Sequence, residues 1–266
     1  MNRAELAGYE LLAMDELAAM DSPLHRAGPL SKFMMTIAYI LITVSFHRYD
    51  ITGLFAMLLF VAVGYQVSGI RMRSCFYRLR IVMPLVCIVG IFNPFFDQEI
   101  VLRIGTMGIS GGVISMLVLM LKGIFCLMAS FLLIATTQIE AICAALRRLY
   151  IPRTITSLIL LTYRYISVLL TETSQLITAY HLRAPGQQGV HVRFWGTFLG
   201  QLLLRSVDRA ENLYDSMQLR GYHGELPDPK STGNVTAAVI ALVVIALMVT
   251  ARIYNIPVLL GTLITN

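Results

Sequence analysis

Between Asp50 and Arg71 the chain reads ITGLFAMLLFVAVGYQVSGI, residues 51–70, twenty positions without a charge. A helix of twenty residues is about 30 Å long, the thickness of a bilayer's hydrocarbon core. Working outward, similar runs recur. Residues 33–47 lie between Lys32 and Arg48, and residues 81–96 between Arg80 and Asp97. Residues 104–139 are broken once, by Lys122, and hold one span at about 112–136. Residues 231–251 lie between Lys230 and Arg252. Two of the runs are short, and Lys32, Arg48 and Arg80 are expected to snorkel at their ends. The pattern predicts five membrane helices in an all-α, polytopic membrane protein. The apolar tail 256–264 is too short and too interrupted by Pro and Gly to add another.

The bulk composition agrees. The 266 residues are 57% hydrophobic and only 14% charged, with mean hydropathy +0.72. Soluble domains carry about 25% charged residues, which argues against a water-soluble enzyme; disorder, collagen and a small disulfide scaffold are excluded. The four cysteines, Cys75, Cys87, Cys126 and Cys143, form no CxxC pair. They read as small apolar residues, buried or facing lipid. Five acids in the first 32 residues read against a secretory signal.

The net charge of +6 acquires meaning when it is placed along the chain. Five spans put 17 of the basic residues on one side and Arg48, Arg103 and Arg252 on the other. By the positive-inside rule the richer side is cytoplasmic. The expected organisation is a cytoplasmic N-terminal segment (1–32), helices one to four (33–136), a cytoplasmic domain (137–230), and a final helix with its tail (231–266). The N-terminus is expected inside and the C-terminus outside.

The long cytoplasmic segment reads as helices. A short one runs from Gln138 to Tyr150 and is closed by Pro152. A second runs from about Arg153 to Arg183, stopped by Ala184-Pro185-Gly186. Its stretch 154–170 could pass for a sixth span, but Arg164 in the middle would cost several kcal/mol in lipid, which favours a surface helix. A third runs from about Arg193 to Arg220, stopped by Gly221. Here Leu203, Val207, Ala210, Tyr214 and Met217 follow helical spacing. Arg205, Asp208, Arg209, Glu211, Asn212, Asp215 and Gln218 fill the other face. Both long helices end on an Arg before a breaker, at Leu182-Arg183-Ala184 and Leu219-Arg220-Gly221, 37 residues apart. A cation there gains from the helix dipole. Two of them, on helices taken as parallel, point instead to guanidinium forks that engage carboxylates of a partner.

These features resemble the transmembrane T component of energy-coupling factor (ECF) transporters, the cobalt-type CbiQ member above all. The resemblance is carried by Ala135-Thr136-Thr137, by 144–152 (AALRRLYIP), and by Leu161-Thr162-Tyr163-Arg164-Tyr165. It continues through 205–211 (RSVDRAE), 219–225 (LRGYHGE), Ser22-Pro23-Leu24-His25 and Phe92-Asn93-Pro94-Phe95. It implies a subunit joining two cytoplasmic ABC ATPases to a membrane substrate-binding (S) subunit, with a small accessory membrane subunit in cobalt systems. It implies that Leu182, Arg183 and Ala184, and Leu219, Arg220 and Gly221, dock into grooves on the ATPases. The first triplet departs from the commoner Ala-Arg-Gly at both flanks. Cobalt uptake is the expected cargo; nickel or a vitamin is the alternative within the family.

The residues agree on what this chain lacks. His25, His47, His181, His191 and His223 are isolated, so no metal site is expected. Met116 and Met120 are spaced for apolar packing. No phosphate-binding loop occurs, and Ser110-Gly111-Gly112 reads as a helix entry. No catalytic residue and no cofactor is assigned, and ATP belongs to the partners. Lys122, a cation within a span, is a candidate for intramembrane contact with the substrate subunit, or else faces other helices or snorkels, near Glu140 if the span is shifted. Asn93-Pro94 is expected to kink the third span and offer a polar group to another helix. A conventional ABC permease is the rival, with Glu140-Ala141 as a fragment of its coupling motif, but polar groups lining a path through the spans are scarce. An intramembrane enzyme would need paired catalytic groups there, which the spans do not offer. The acidic partner implied by the charge is the pair of ATPases, not nucleic acid.

Overall fold

The computed structural model describes residues 8, 13–20, 22–70, 75, 80, 84, 86–92, 100–104, 107–184, 191–222 and 235–254. In chain order the helices are α1 (Pro29–Ser45), α2 (Ile51–Ser68), α3 (Gly111–Thr136), α4 (Ile139–Arg148), α5 (Arg153–Arg183), α6 (Trp195–Leu219) and α7 (Val235–Tyr254). Residues 86–91, within the expected third span, are also helical. The fold is all-helical in character, with one addition the sequence reading left out. Strands β1 (Ile100–Ile104) and β2 (Met107–Ser110) pair antiparallel ahead of α3.

The chain divides into two compact units. The first comprises Ala18–Thr137 with Thr232–Asn266. Here α3 packs on α1 and α2, and α7 packs on α1. Leu54, Met57, Tyr65, Val118 and Phe125 are buried among them, while Leu41, Phe55, Leu59 and Leu242 face outward. That outward apolar surface suits lipid. In lipid the helices gain little from hydrophobic burial, and close approach through small residues holds them together. A Cβ on Gly64 would come within 2.8 Å of Leu132, and one on Gly123 within 2.8 Å of Val86. Met116 and Met120 lie against Gly90 in the same way, as expected for apolar packing.

Polar side chains stitch the helices to one another's backbone. Tyr39 donates to the Met57 carbonyl at 3.2 Å, and Tyr65 to the Met128 carbonyl at 3.0 Å. Lys32 does not snorkel, contrary to expectation. It is buried, and its Nζ donates to the carbonyl of Thr136, the last residue of α3, at 2.7 Å. The last carbonyls of a helix have no partner within it, so a buried ammonium there meets a real need. Lys122 does the converse. From the middle of α3 it donates to the carbonyls of Val44 (3.1 Å) and Phe46 at the end of α1. Arg252 of α7 adds a bond to the Ser45 carbonyl at 2.9 Å. The last turn of α1 holds no basic residue of its own; two other helices supply them.

The second unit comprises Met1–Leu17 with Gln138–Ser231. Here α4 packs on α5, and α5 on α6. α4 ends two residues before Tyr150, whose φ of +62° turns the chain. Pro152 is the N-cap of α5, which begins at Arg153 as the sequence predicts. Arg147 clamps the corner, Nε donating to Thr156 Oγ1 at 2.8 Å and Nη2 to Ser157 Oγ at 3.2 Å. α5 spans the predicted bounds. α6 starts two residues later than predicted, because Val192–Phe194 forms a 3₁₀ turn.

By length and composition three helices could cross a bilayer: α3, α5 and the 236–253 part of α7. α1 and the 53–68 part of α2 are shorter apolar helices. These apolar elements give the chain the hydrophobic length that a membrane-embedded protein needs.

Candidate functional site

α6 ends by a mechanism that its sequence encodes. Gly221 has φ +81°, a conformation that costs a non-glycine residue about 1–2 kcal/mol. This turn lets the Tyr222 N–H reach the Met217 carbonyl at 2.9 Å and the Gly221 N–H reach the Gln218 carbonyl at 2.9 Å, a Schellman closure. Arg220 is thereby the capping residue, exposed at the tip. α5 ends more simply. Arg183 is its last residue, and the Ala184 N–H still bonds the Tyr180 carbonyl at 3.0 Å. The small residue after each Arg therefore has a different task at the two ends. At 221 it permits the turn; at 184 it needs no positive φ.

The two tips share an exposed apolar neighbour. Leu182 is 78% exposed and Leu219 is 89% exposed, each beside its Arg. Among the described residues Arg183 and Arg220 engage no ion pair. Their helices are not parallel, and here the sequence reading is corrected. Near the end of α5 the Tyr180 ring lies 5.7 Å from Phe194, just ahead of α6. Leu161 and Tyr165, early in α5, share a groove with Met217 and Tyr222 at the end of α6. The helices run antiparallel, so the two Leu-Arg tips lie at opposite ends of the pair.

The groove between them has a volume of about 470 Å³. Ala210, Tyr214 and Met217 line it from α6, as the helical spacing predicted, together with Leu213, which that spacing left out. Leu203 and Val207, expected on the same face, are exposed instead. Arg209, expected on the solvent face, lines the groove and pairs through Nη2 with Glu172 Oε1 of α5. Sequence alone gave no signal for that pair.

Other sequence candidates fall as follows. Lys122 finds its partners in the carbonyls at the end of α1, and Glu140 lies 3.6 Å from Arg164. Both members of that pair are about half-exposed, which limits it to a few tenths of a kcal/mol up to about 1 kcal/mol. Arg164 is thus the partner of Glu140, while Tyr163 beside it donates to Asp15 Oδ1 at 2.7 Å. Asn93 and Pro94 lie outside the described residues, as does His223. His25 pairs with Ser22 Oγ at 2.6 Å. Ser110-Gly111-Gly112 is indeed the entry to α3, with both glycines buried. All four cysteines are free. At Cys143 in α4, burial pushes the thiol above its usual range, with Arg147 opposing and Glu140 assisting, as suits a packed rather than reactive group. Among the described residues no three His, Cys, Asp or Glu side chains gather to hold a metal ion.

Comparison with known proteins adds the family. Residues 20–232 match the family described as CbiQ, cobalt transport protein. The energy-coupling factor transporter transmembrane protein EcfT of Lactococcus lactis is 25% identical over 77% of this chain and 82% of its own. EcfT of Limosilactobacillus fermentum is 26% identical over 80% of this chain and 84% of its own. An uncharacterised protein of Methanocaldococcus jannaschii is 26% identical, and the match spans 60% of this chain and 58% of that protein. The two EcfT relatives are named as transmembrane proteins of transporters, and the matching family is one of transport proteins, not enzymes. With apolar helices for a bilayer and a match over most of its length, the chain belongs to the CbiQ cobalt transport protein family.

Proposed function

We propose that the chain is the T subunit of an ECF-type ABC importer, transmitting motion from two cytoplasmic ATPases to a separate membrane substrate-binding subunit, with cobalt ion as cargo. The observation that carries this reading is the pair of exposed Leu-Arg tips at opposite ends of α5 and α6. One tip serves one ATPase. The guanidinium offers a bidentate fork to a carboxylate, and the leucine supplies apolar contact. Opposite placement suits two ATPases that close on each other when ATP binds, since a pull on both tips reorients the helix pair as a rigid element. Exposed apolar residues along α5 and α6, such as Leu158, Leu199, Leu203 and Leu204, suit the substrate subunit and the membrane surface. A small accessory membrane subunit completes a cobalt-type complex. In this reading the N-terminus and residues 137–230 face the cytoplasm of a bacterial inner membrane, and ATP is bound by the partners alone.

The test is charge reversal of both tips, Arg183→Glu with Arg220→Glu, in cells that carry the partner subunits. Each lost fork removes about 1.5–3 kcal/mol of charged hydrogen bonding. The ATPases should fail to co-purify with the variant, and cobalt uptake should stop. Intact co-purification with normal uptake would refute the assignment. Parallel uptake of labelled cobalt and nickel by the unaltered complex decides between the two metals.

A further inference from the structure

The two Leu-Arg tips are not merely opposite; they stand at matched distances from one ion pair. Arg183 follows Glu172 by eleven residues, and Arg220 follows Arg209 by eleven. Eleven residues make about three helical turns, so each Arg lies near the face of its pairing residue, roughly 16 Å farther along the axis. Glu172 and Arg209 are the only ion pair joining α5 to α6 among the described residues. They are separated by 37 residues, the same offset that separates the two docking arginines.

The pair is anchored on one side and loose on the other. The Glu172 side chain is only 11% exposed, whereas that of Arg209 is 43% exposed. Nη2 of Arg209 meets Oε1 alone, while Oε2 of Glu172 is buried with no partner among the described residues. A buried carboxylate that lost its cation would be left unpaired at high cost, so the contact resists separation. A single N–H···O contact nonetheless tolerates a change of angle that a two-pronged fork would oppose. α6 itself has no buried residue, so no packed core fixes its direction. On one side of this point lies the apolar groove between early α5 and late α6. On the other the Tyr180 and Phe194 rings approach.

We propose that the Glu172–Arg209 contact is the fulcrum of an equal-armed lever, positioning Arg183 and Arg220 so that the two ATPases act on the membrane unit with matched reach. The inference rests on the coupling role proposed above. Neither residue touches ATP or metal; both act through the arginines they place.

The test uses the full complex, reconstituted in liposomes, with cobalt uptake and ATP hydrolysis measured together. Glu172→Gln and Arg209→Gln each remove the pair. A third variant exchanges it, Glu172→Arg with Arg209→Glu. In the single variants the metal moved per ATP hydrolysed should fall by at least about fivefold, the lower end of ordinary coupling between sites. The exchange should recover most of it. Loss of ATPase retention in the single variants, recovered in the exchange, would support the same conclusion. Single variants that keep the unaltered ratio overturn the proposal. So does an exchange variant that folds and assembles yet stays as uncoupled as the singles. If the coupling role itself were wrong, the unaltered chain would not retain the ATPases at all, a result seen before any variant is made.

Discussion

Replacing Lys122 with Met tests whether an ammonium within a membrane helix stabilises the fold. The substitution nearly preserves side-chain length and removes two hydrogen bonds, to the Val44 and Phe46 carbonyls. Charged hydrogen bonds contribute about 1.5–3 kcal/mol each in water-soluble proteins. Bonds between membrane helices average nearer 0.6 kcal/mol, because separated helices find other partners. Arg252, bonded to the adjacent Ser45 carbonyl, remains as a partial substitute. Against this stands the cost of the cation, about 2.5–3.5 kcal/mol at the centre of a bilayer. That cost does not favour the variant here, because separating α1 from α3 leaves the cation still in lipid and without its acceptors. The net expectation is a loss of about 2 kcal/mol, roughly thirtyfold in the unfolding constant. The assay is SDS-driven unfolding in mixed micelles, read by thiol labelling of Cys75, which is buried beside Tyr65, with the other cysteines replaced by Ser. The midpoint should fall for Lys122→Met and less for Lys122→Arg, which keeps a donor. An unchanged or raised midpoint for Lys122→Met would refute the reasoning, since the cation would then be a burden that its bonds do not offset.

Lys32→Met should be the more damaging of the two lysine changes, by about 2–4 kcal/mol in the same assay, because Lys32 is buried and leaves the Thr136 carbonyl without a donor. Arg147→Ala should loosen the α4–α5 corner by about 1–2 kcal/mol, seen as faster proteolysis near 149–152. Tyr150→Gly should stabilise that corner by up to about 1 kcal/mol, since φ is +62° and the ring is 99% exposed. Gly221→Val should do the reverse at the end of α6 by about 1–2 kcal/mol, from backbone strain alone, because a Cβ there meets no other atom within 4 Å. Thermal melts of the four variants, monitored by circular dichroism, rank these outcomes.

What was legible in the sequence was written in local chemistry. Pro152 and the Ala184 break mark both ends of α5, and Gly221 marks the end of α6. The apolar helices α1, α2, α3 and α7 follow from runs interrupted by at most one internal charge. The strands at 100–104 and 107–110 precede the span expected at about 112–136, in a stretch for which no element was predicted. Its β-branched Ile100, Val101 and Ile104 beside Gly105 were an available signal. The α6 start was misplaced because an aromatic 3₁₀ turn carries no cap signature. The partners of Lys32 and Lys122 were beyond reach for a deeper reason. They are main-chain carbonyls, and every residue has one. The Glu172–Arg209 contact likewise joins two residues that each look like ordinary charges on a solvated helix.

The reciprocal lysines of α1 and α3 carry a consequence for how the chain can change in length. Lys32 lies fourteen residues before Phe46, and Lys122 lies fourteen residues before Thr136. The two helices therefore form a closed frame, each measuring the other with the same ruler. Inserting one residue between Lys122 and Thr136 would move one corner by about 1.5 Å and rotate it by about 100°, so a single insertion or deletion in either segment opens the frame. Only a matched change in both could close it again, so these two fourteen-residue intervals should tolerate substitution far better than any change in length.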